Sequence, residues 1–301
     1  MRWIGRLRVG RRGLAALCAG PPAAMRAGAS SPGPAGIHTG YAAGAGVRLH
    51  LAQAGEGPLM LFLHGLPDDW TLYGAQFQEF SQDHLVAAPN LRGFPPSDVP
   101  ETVDAYAMPR LLGDVHGVLD HLGRRRCVLV GNDWGGYVAW VFAAAWPDRV
   151  ERLVVLNAPH PSVHLREVRD NPAQIRASQY ERDIHAAPAP YPAWYNYYRA
   201  DPIKVPVSPE AAAAEPAPDL AAHFFAGVAG PPPGGTSLRV AQPTLVIWGM
   251  QDPYMLPGQL DGLEQYAPDL TLLRIEAAGH LPMRSHPALV NRTIRDFLQR
   301  S

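Results

Sequence analysis

Lysine is all but missing from this chain: Lys204 is the only one, so the basic charge is almost wholly arginine. With Ala, Gly and Pro abundant, that reads as a bias toward GC-rich codons and not as a functional signal. Cysteine is scarce too. Cys18 sits among arginines and Cys127 opens an apolar run, so a disulfide framework is not expected, and the pair has no zinc-type spacing. No stretch reaches the roughly 20 apolar residues that span a bilayer. A net charge of -1 gives no electrostatic footing for nucleic acid or an anionic membrane. Acids are absent ahead of Glu56, while Arg2, Arg6, Arg8, Arg11, Arg12 and Arg26 crowd the start. Residues 1–36 are therefore read as a leader or disordered segment outside the fold. The arginines fit an organellar presequence, Arg11-Arg12 fits an export signal, and a true start at Met25 leaves a cytoplasmic protein.

What is present is enough for one large core: 301 residues, 47% apolar and 18% charged. From residue 37, short alternating pieces around residues 46–52 suggest an antiparallel hairpin. The runs at 59–63, 84–88, 128–131, 150–157, 244–249 and 270–275 are apolar without alternation, as strands covered on both faces must be. Helical spacing separates them, at 70–80, 105–122 and 287–298. Strands alternating with helices predict an α/β fold with a mostly parallel, doubly covered sheet. Between 161 and 240 the pattern breaks into Pro clusters, the aromatic run Trp194-Tyr195-Asn196-Tyr197-Tyr198 and an Ala/Pro-rich stretch. We read 37–160 and 241–301 as the core domain and 161–240 as a mainly helical lid inserted into it.

The chemistry concentrates at Gly131-Asn132-Asp133-Trp134-Gly135-Gly136. A β-branched run enters, an Ala-rich helix leaves, and the acid at the corner needs small neighbours to tolerate a strained backbone. This pattern is a nucleophile elbow with Asp in place of Ser; an N-cap Asp opening an ordinary helix is the plainer alternative. A carboxylate is ionised near neutral pH without help from a base. It makes an ester by displacement at a saturated carbon, and that ester must then be cleaved by water. Cleavage calls for a general base and a group to orient it. Asp252, in Trp248-Gly249-Met250-Gln251-Asp252-Pro253, and His280, in Gly279-His280-Leu281-Pro282, each follow a predicted strand in the order nucleophile, acid, histidine. A turn Asp and a structural His are what each would be in isolation. The tetrahedral oxyanion needs donors, which the backbone N–H groups of Trp134 and Leu66 can supply. His286, before Pro287, is expected to begin the last helix.

These pieces, together with His64-Gly65-Leu66-Pro67 and Trp70, resemble the α/β-hydrolase superfamily and, within it, the epoxide hydrolases. The likeness runs from residue 37 to the C-terminus except the middle of the lid. It implies an α/β-hydrolase fold, no cofactor or metal, and a site in which His64, Leu66, Pro67, Trp70 and Trp134 surround the oxyanion or the substrate. It also implies two lid tyrosines that donate to the epoxide oxygen as the ring opens. Asn196-Tyr197-Tyr198-Arg199 resembles one such motif and assigns Tyr198; Ser178-Gln179-Tyr180 resembles the other and assigns Tyr180. This chain departs from the family loop Asp-x-Arg-Gly-x-Gly by having Asn90 and Pro95, and the residues after Tyr180, Glu181-Arg182-Asp183, are more charged than usual. The expected partners are a small or medium apolar epoxide and water, with a homodimer left open. A haloalkane dehalogenase shares the Asp nucleophile and His base, but commonly has a side-chain donor where Leu66 stands. A non-catalytic binding protein on the same fold is the third reading.

Overall fold

The computed structural model describes residues 36–228 and 237–300. Residues 1–35, which carry Cys18 and nearly all of the expected leader, and 229–236 of the expected lid lie outside that range. Eight strands form one sheet in the order β1-β2-β4-β3-β5-β6-β7-β8. The strands are β1 (His38–Ala43), β2 (Arg48–Ala54), β3 (Leu59–Leu63), β4 (Leu85–Pro89), β5 (Cys127–Asn132), β6 (Val150–Leu156), β7 (Thr244–Gly249) and β8 (Leu270–Ile275). The β1–β2 and β2–β4 pairings are antiparallel, and every other pairing is parallel.

Every residue of β3, β5 and β7 is buried, which is why their sequences show no polar alternation. Alternate side chains still separate by face. Met60, Phe62, Val128, Val130, Val154, Leu156, Leu245 and Ile247 pack with Phe77 and Phe80 of α1 (Gly74–Phe80), Met283 of the short α10 (Pro282–Ser285) and Ile294 and Phe297 of α11 (Pro287–Leu298). On the opposite face lie α2 (Met108–His121) and α3 (Asp133–Ala145). Beyond Asp133, every residue of α3 is buried, as an Ala-rich helix without a polar stripe has to be. The expected helix over 70–80 is a 3-10 turn, Trp70–Tyr73, followed by α1, and that over 105–122 begins only at Met108, after a separate 3-10 turn. Pro109 falls in the first turn of α2, where its missing N–H costs nothing. His286 caps α11, as expected.

Between β6 and β7 the described residues form six short helices: α4 (Pro161–Asp170), α5 (Pro172–Ala177), α6 (Gln179–Ala186), α7 (Tyr195–Ala200), α8 (Pro209–Ala213) and α9 (Leu220–Phe224). They belong to the same compact unit as the sheet, residues 36–301. Among the described residues no helix is long and apolar enough to cross a membrane. The Asn90 loop compensates for its unusual residue directly. The Asn90 side chain accepts from Trp70 N–H at 3.1 Å and donates to the Pro95 carbonyl at 3.0 Å, tying the loops after β3 and β4 together. Behind it, Arg92 is fully buried and makes a two-pronged ion pair with Asp114 at 2.6 and 2.7 Å.

Candidate active site

Parallel strands deliver their carboxyl ends to one edge of the sheet, and four of those ends build the site. At the end of β5, Asp133 has φ 52°, a conformation that costs a side-chain-bearing residue about 1–3 kcal/mol. The turn closes because Gly135 lets α3 press against β3: a Cβ there would lie 2.1 Å from the Leu63 carbonyl oxygen. At the end of β3, the Leu66 N–H donates to Asp133 Oδ1 at 2.9 Å. At the ends of β7 and β8, His280 Nδ1 meets Asp252 Oδ2 at 2.6 Å and Nε2 meets Asp133 Oδ2 at 3.2 Å. Gly249 permits that meeting, since a Cβ on it would stand 2.1 Å from the Gly279 carbonyl oxygen. Asn132 Nδ2, next to the elbow, donates to the His280 carbonyl at 3.3 Å and holds the histidine loop in register.

Asp252 is held on three sides. Its Oδ1 accepts from the N–H groups of Tyr254 and Met255, and its Oδ2 from the Asn157 side chain at 2.8 Å. Asn157 sits just past β6 at φ 41° and also accepts from Gly249 N–H through its side-chain oxygen. Sequence reasoning missed this residue. Its signal was a polar side chain at a fifth strand end, of a type that tolerates the left-handed conformation. Burial alone would depress the His280 pKa, but Asp252 and Asp133 outweigh it and push it up to about 10. The ring is therefore an imidazolium between two carboxylates.

Tyr180 of α6 and Tyr198 of α7 come together above the elbow, edge to face with ring centres 5.8 Å apart, and both line the cavity that opens onto Asp133. Burial first, then neighbouring negative charge, holds both hydroxyls well above the ordinary tyrosine range, so they stay protonated donors. The adjacent Tyr197 points elsewhere: its hydroxyl donates to the Arg92 carbonyl at 2.9 Å. Trp134 lies against Tyr198 at 5.2 Å, and as the second residue of α3 its N–H has no partner within the helix.

His64 and Trp70 are placed differently from the expectation that they face oxyanion or substrate. His64 is wholly buried, with Nδ1 donating to the Gly65 carbonyl and Nε2 accepting from Leu91 N–H, and burial depresses its pKa. Trp70 packs on Phe77 against the core. Both brace the loop that aims the Leu66 amide, and Pro67 follows Leu66 through a cis peptide bond in that loop. The cavity wall is not wholly apolar: Glu181, Asp201 and His164 stand in it beside Trp134, Tyr137 and Met255.

An acid at a strained strand-to-helix turn, an amide aimed at it and a histidine clamped between two carboxylates define a hydrolase of the α/β class. Residues 58–191 match the profile of the alpha/beta hydrolase fold family. Along the whole chain the similarity is narrower. Epoxide hydrolase 3 of Xenopus tropicalis is 34% identical over 280 residues, covering 84% of this chain and 75% of that protein. Epoxide hydrolase 4 of Mus musculus is 30% identical over 84% of this chain and 77% of its own length. A crystal structure of Bacillus megaterium epoxide hydrolase with an inhibitor superposes with a TM-score of 0.74 at 28% identity, over 87% of this chain and 100% of that one. The chain belongs to the epoxide hydrolases, hydrolytic enzymes on the α/β-hydrolase fold.

Proposed function

We propose that the chain converts an epoxide and water into a vicinal diol through a covalent ester on Asp133. One oxygen of Asp133 attacks a ring carbon, the carbon–oxygen bond breaks, and its electron pair goes to the ring oxygen. An alkoxide is too basic to leave without a donor, and the protonated phenols of Tyr180 and Tyr198 line the cavity where it would form. Esterification then abolishes the charge on Asp133. Two of the influences that hold His280 protonated vanish with it, leaving Asp252. The proton His280 gives up balances the one taken by the alkoxide. The neutral ring next removes a proton from water, whose oxygen attacks the ester carbonyl. Leu66 N–H, already 2.9 Å from Asp133, and Trp134 N–H receive the oxyanion. Collapse releases the diol and restores the Asp133 carboxylate beside protonated His280.

The observation that carries this reading is His280 bridging Asp252 and Asp133 at 2.6 and 3.2 Å. A base so placed serves hydrolysis of an ester on Asp133 and has no evident use otherwise. The test is His280→Gln mixed with an epoxide. Intact mass should rise by the mass of the epoxide and stay raised, because ring opening survives and ester cleavage does not. An unshifted mass, with the unmodified enzyme active on the same compound, refutes the mechanism.

A further inference from the structure

The cavity above Asp133 holds ionisable groups that the mechanism does not use. Glu181 follows Tyr180 on α6, Asp201 caps α7, and His164 of α4 stands with them in the wall. Asp201 Oδ1 is tied down by Ile203 N–H at 3.1 Å and the Tyr137 hydroxyl at 3.4 Å. Glu181 is not. It is 6% exposed, and its Oε1 has no hydrogen-bond partner among the described residues. His164 Nε2 lies 3.8 Å from that oxygen, beyond hydrogen-bond length, and burial keeps the His164 ring neutral by pushing its pKa down to about 4. Burial, with the nearby Asp201 charge, also pushes Glu181 up to about 8. A buried oxygen left without a donor is costly, so its place in a ligand cavity has chemical meaning.

We infer that Glu181 selects among epoxides: the preferred substrate carries, besides its ring, a hydrogen-bond donor that occupies the unpaired Glu181 oxygen. A hydroxyl and a protonated amine share this chemistry. An alkyl analogue enters the same space but strands Glu181, and a site built around a polar partner rejects the analogue that lacks it.

The test compares, at a pH above about 8 where Glu181 is ionised, three epoxides of equal length ending in hydroxyl, ammonium or methyl, by kcat/KM of the native enzyme, Glu181→Met and Glu181→Gln. Native enzyme should favour a donor-ended compound over the methyl-ended one by about tenfold or more, the scale of one hydrogen bond to a buried group. Glu181→Met, close to Glu in shape, should abolish that preference. Glu181→Gln should keep it for the hydroxyl, which its amide oxygen still accepts, and lose it for the ammonium. Equal ranking by native enzyme, or a preference that survives Glu181→Met, overturns the inference. The inference rests on the Asp133 ester reading, and the two fail separately. An adduct on His280→Gln with all three compounds alongside equal ranking sinks selectivity alone, whereas no adduct sinks the ester and leaves the ranking to decide on Glu181.

Discussion

Replacing Asp133 by Asn removes a negative charge 3.2 Å from the His280 ring and preserves the side chain's outline. In the native site burial pulls His280 down, yet Asp252 and Asp133 carry it from 6.5 to about 10, a preference for the charged ring worth about 5 kcal/mol at ~1.4 kcal/mol per pH unit. An opposite charge within ~4–6 Å moves a titration by about 1–3 pH units. Asp133→Asn should therefore lower the His280 pKa by about that amount, with Asp252 retaining the rest. Nitrogen-15 labelling of histidine and an NMR titration read the change at the ring itself. Stability should follow with a definite sign. Because the folded value lies above the unfolded one, the pairing stabilises the fold in full below about pH 6.5 and is lost as pH rises through about 10. Urea unfolding at pH 6 and pH 10 should thus show a smaller alkaline loss for Asp133→Asn than for the native chain. An unmoved His280 titration in the variant refutes the charge switch on which the two-step mechanism depends.

Asn157→Ala deletes the side-chain donor 2.8 Å from Asp252 Oδ2, a hydrogen bond to a charged group worth about 1.5–3 kcal/mol. Single-turnover kinetics should show ester hydrolysis slowed roughly tenfold or more and ester formation much less affected; equal slowing of both steps contradicts a role confined to the base. Arg92→Met strands Asp114 in the core, where the ion pair is 1% and 5% exposed on its two sides. Loss of one partner of a buried pair costs about 3–5 kcal/mol, which a urea midpoint will register; Arg92→Met with Asp114→Leu should recover much of it, and an unmoved midpoint in the single variant argues that the pair adds nothing.

Much of the core was legible from local pattern. The spans of β7, β8 and α11 coincide with the expected runs, because a strand buried on both faces must be apolar throughout and an amphipathic helix opened by His286-Pro287 announces its start. The segment between β6 and β7 was legible only as an interruption. Its helices run from 5 to 10 residues, too short for periodicity to declare itself, and tertiary packing holds them. His64 shows the complementary failure. Motif context suggested contact with the site, yet both ring nitrogens are spent on backbone groups of two loops, a use that depends on where the neighbouring strand ends.

The order of residues by itself determined which groups could do the chemistry: an acid flanked by glycines, then an acid and a histidine each just beyond a strand. Their spacing along the chain, 119 residues from Asp133 to Asp252 by simple difference of their numbers, says nothing of distance. Parallel pairing of β3, β5, β6, β7 and β8 decided that, by bringing their carboxyl ends to one edge. Only the packed fold enlisted Asn157, committed Tyr197 to the Arg92 carbonyl and turned Glu181 into the cavity. Orientation and burial of a side chain are set by what surrounds it in space, and no local pattern records that.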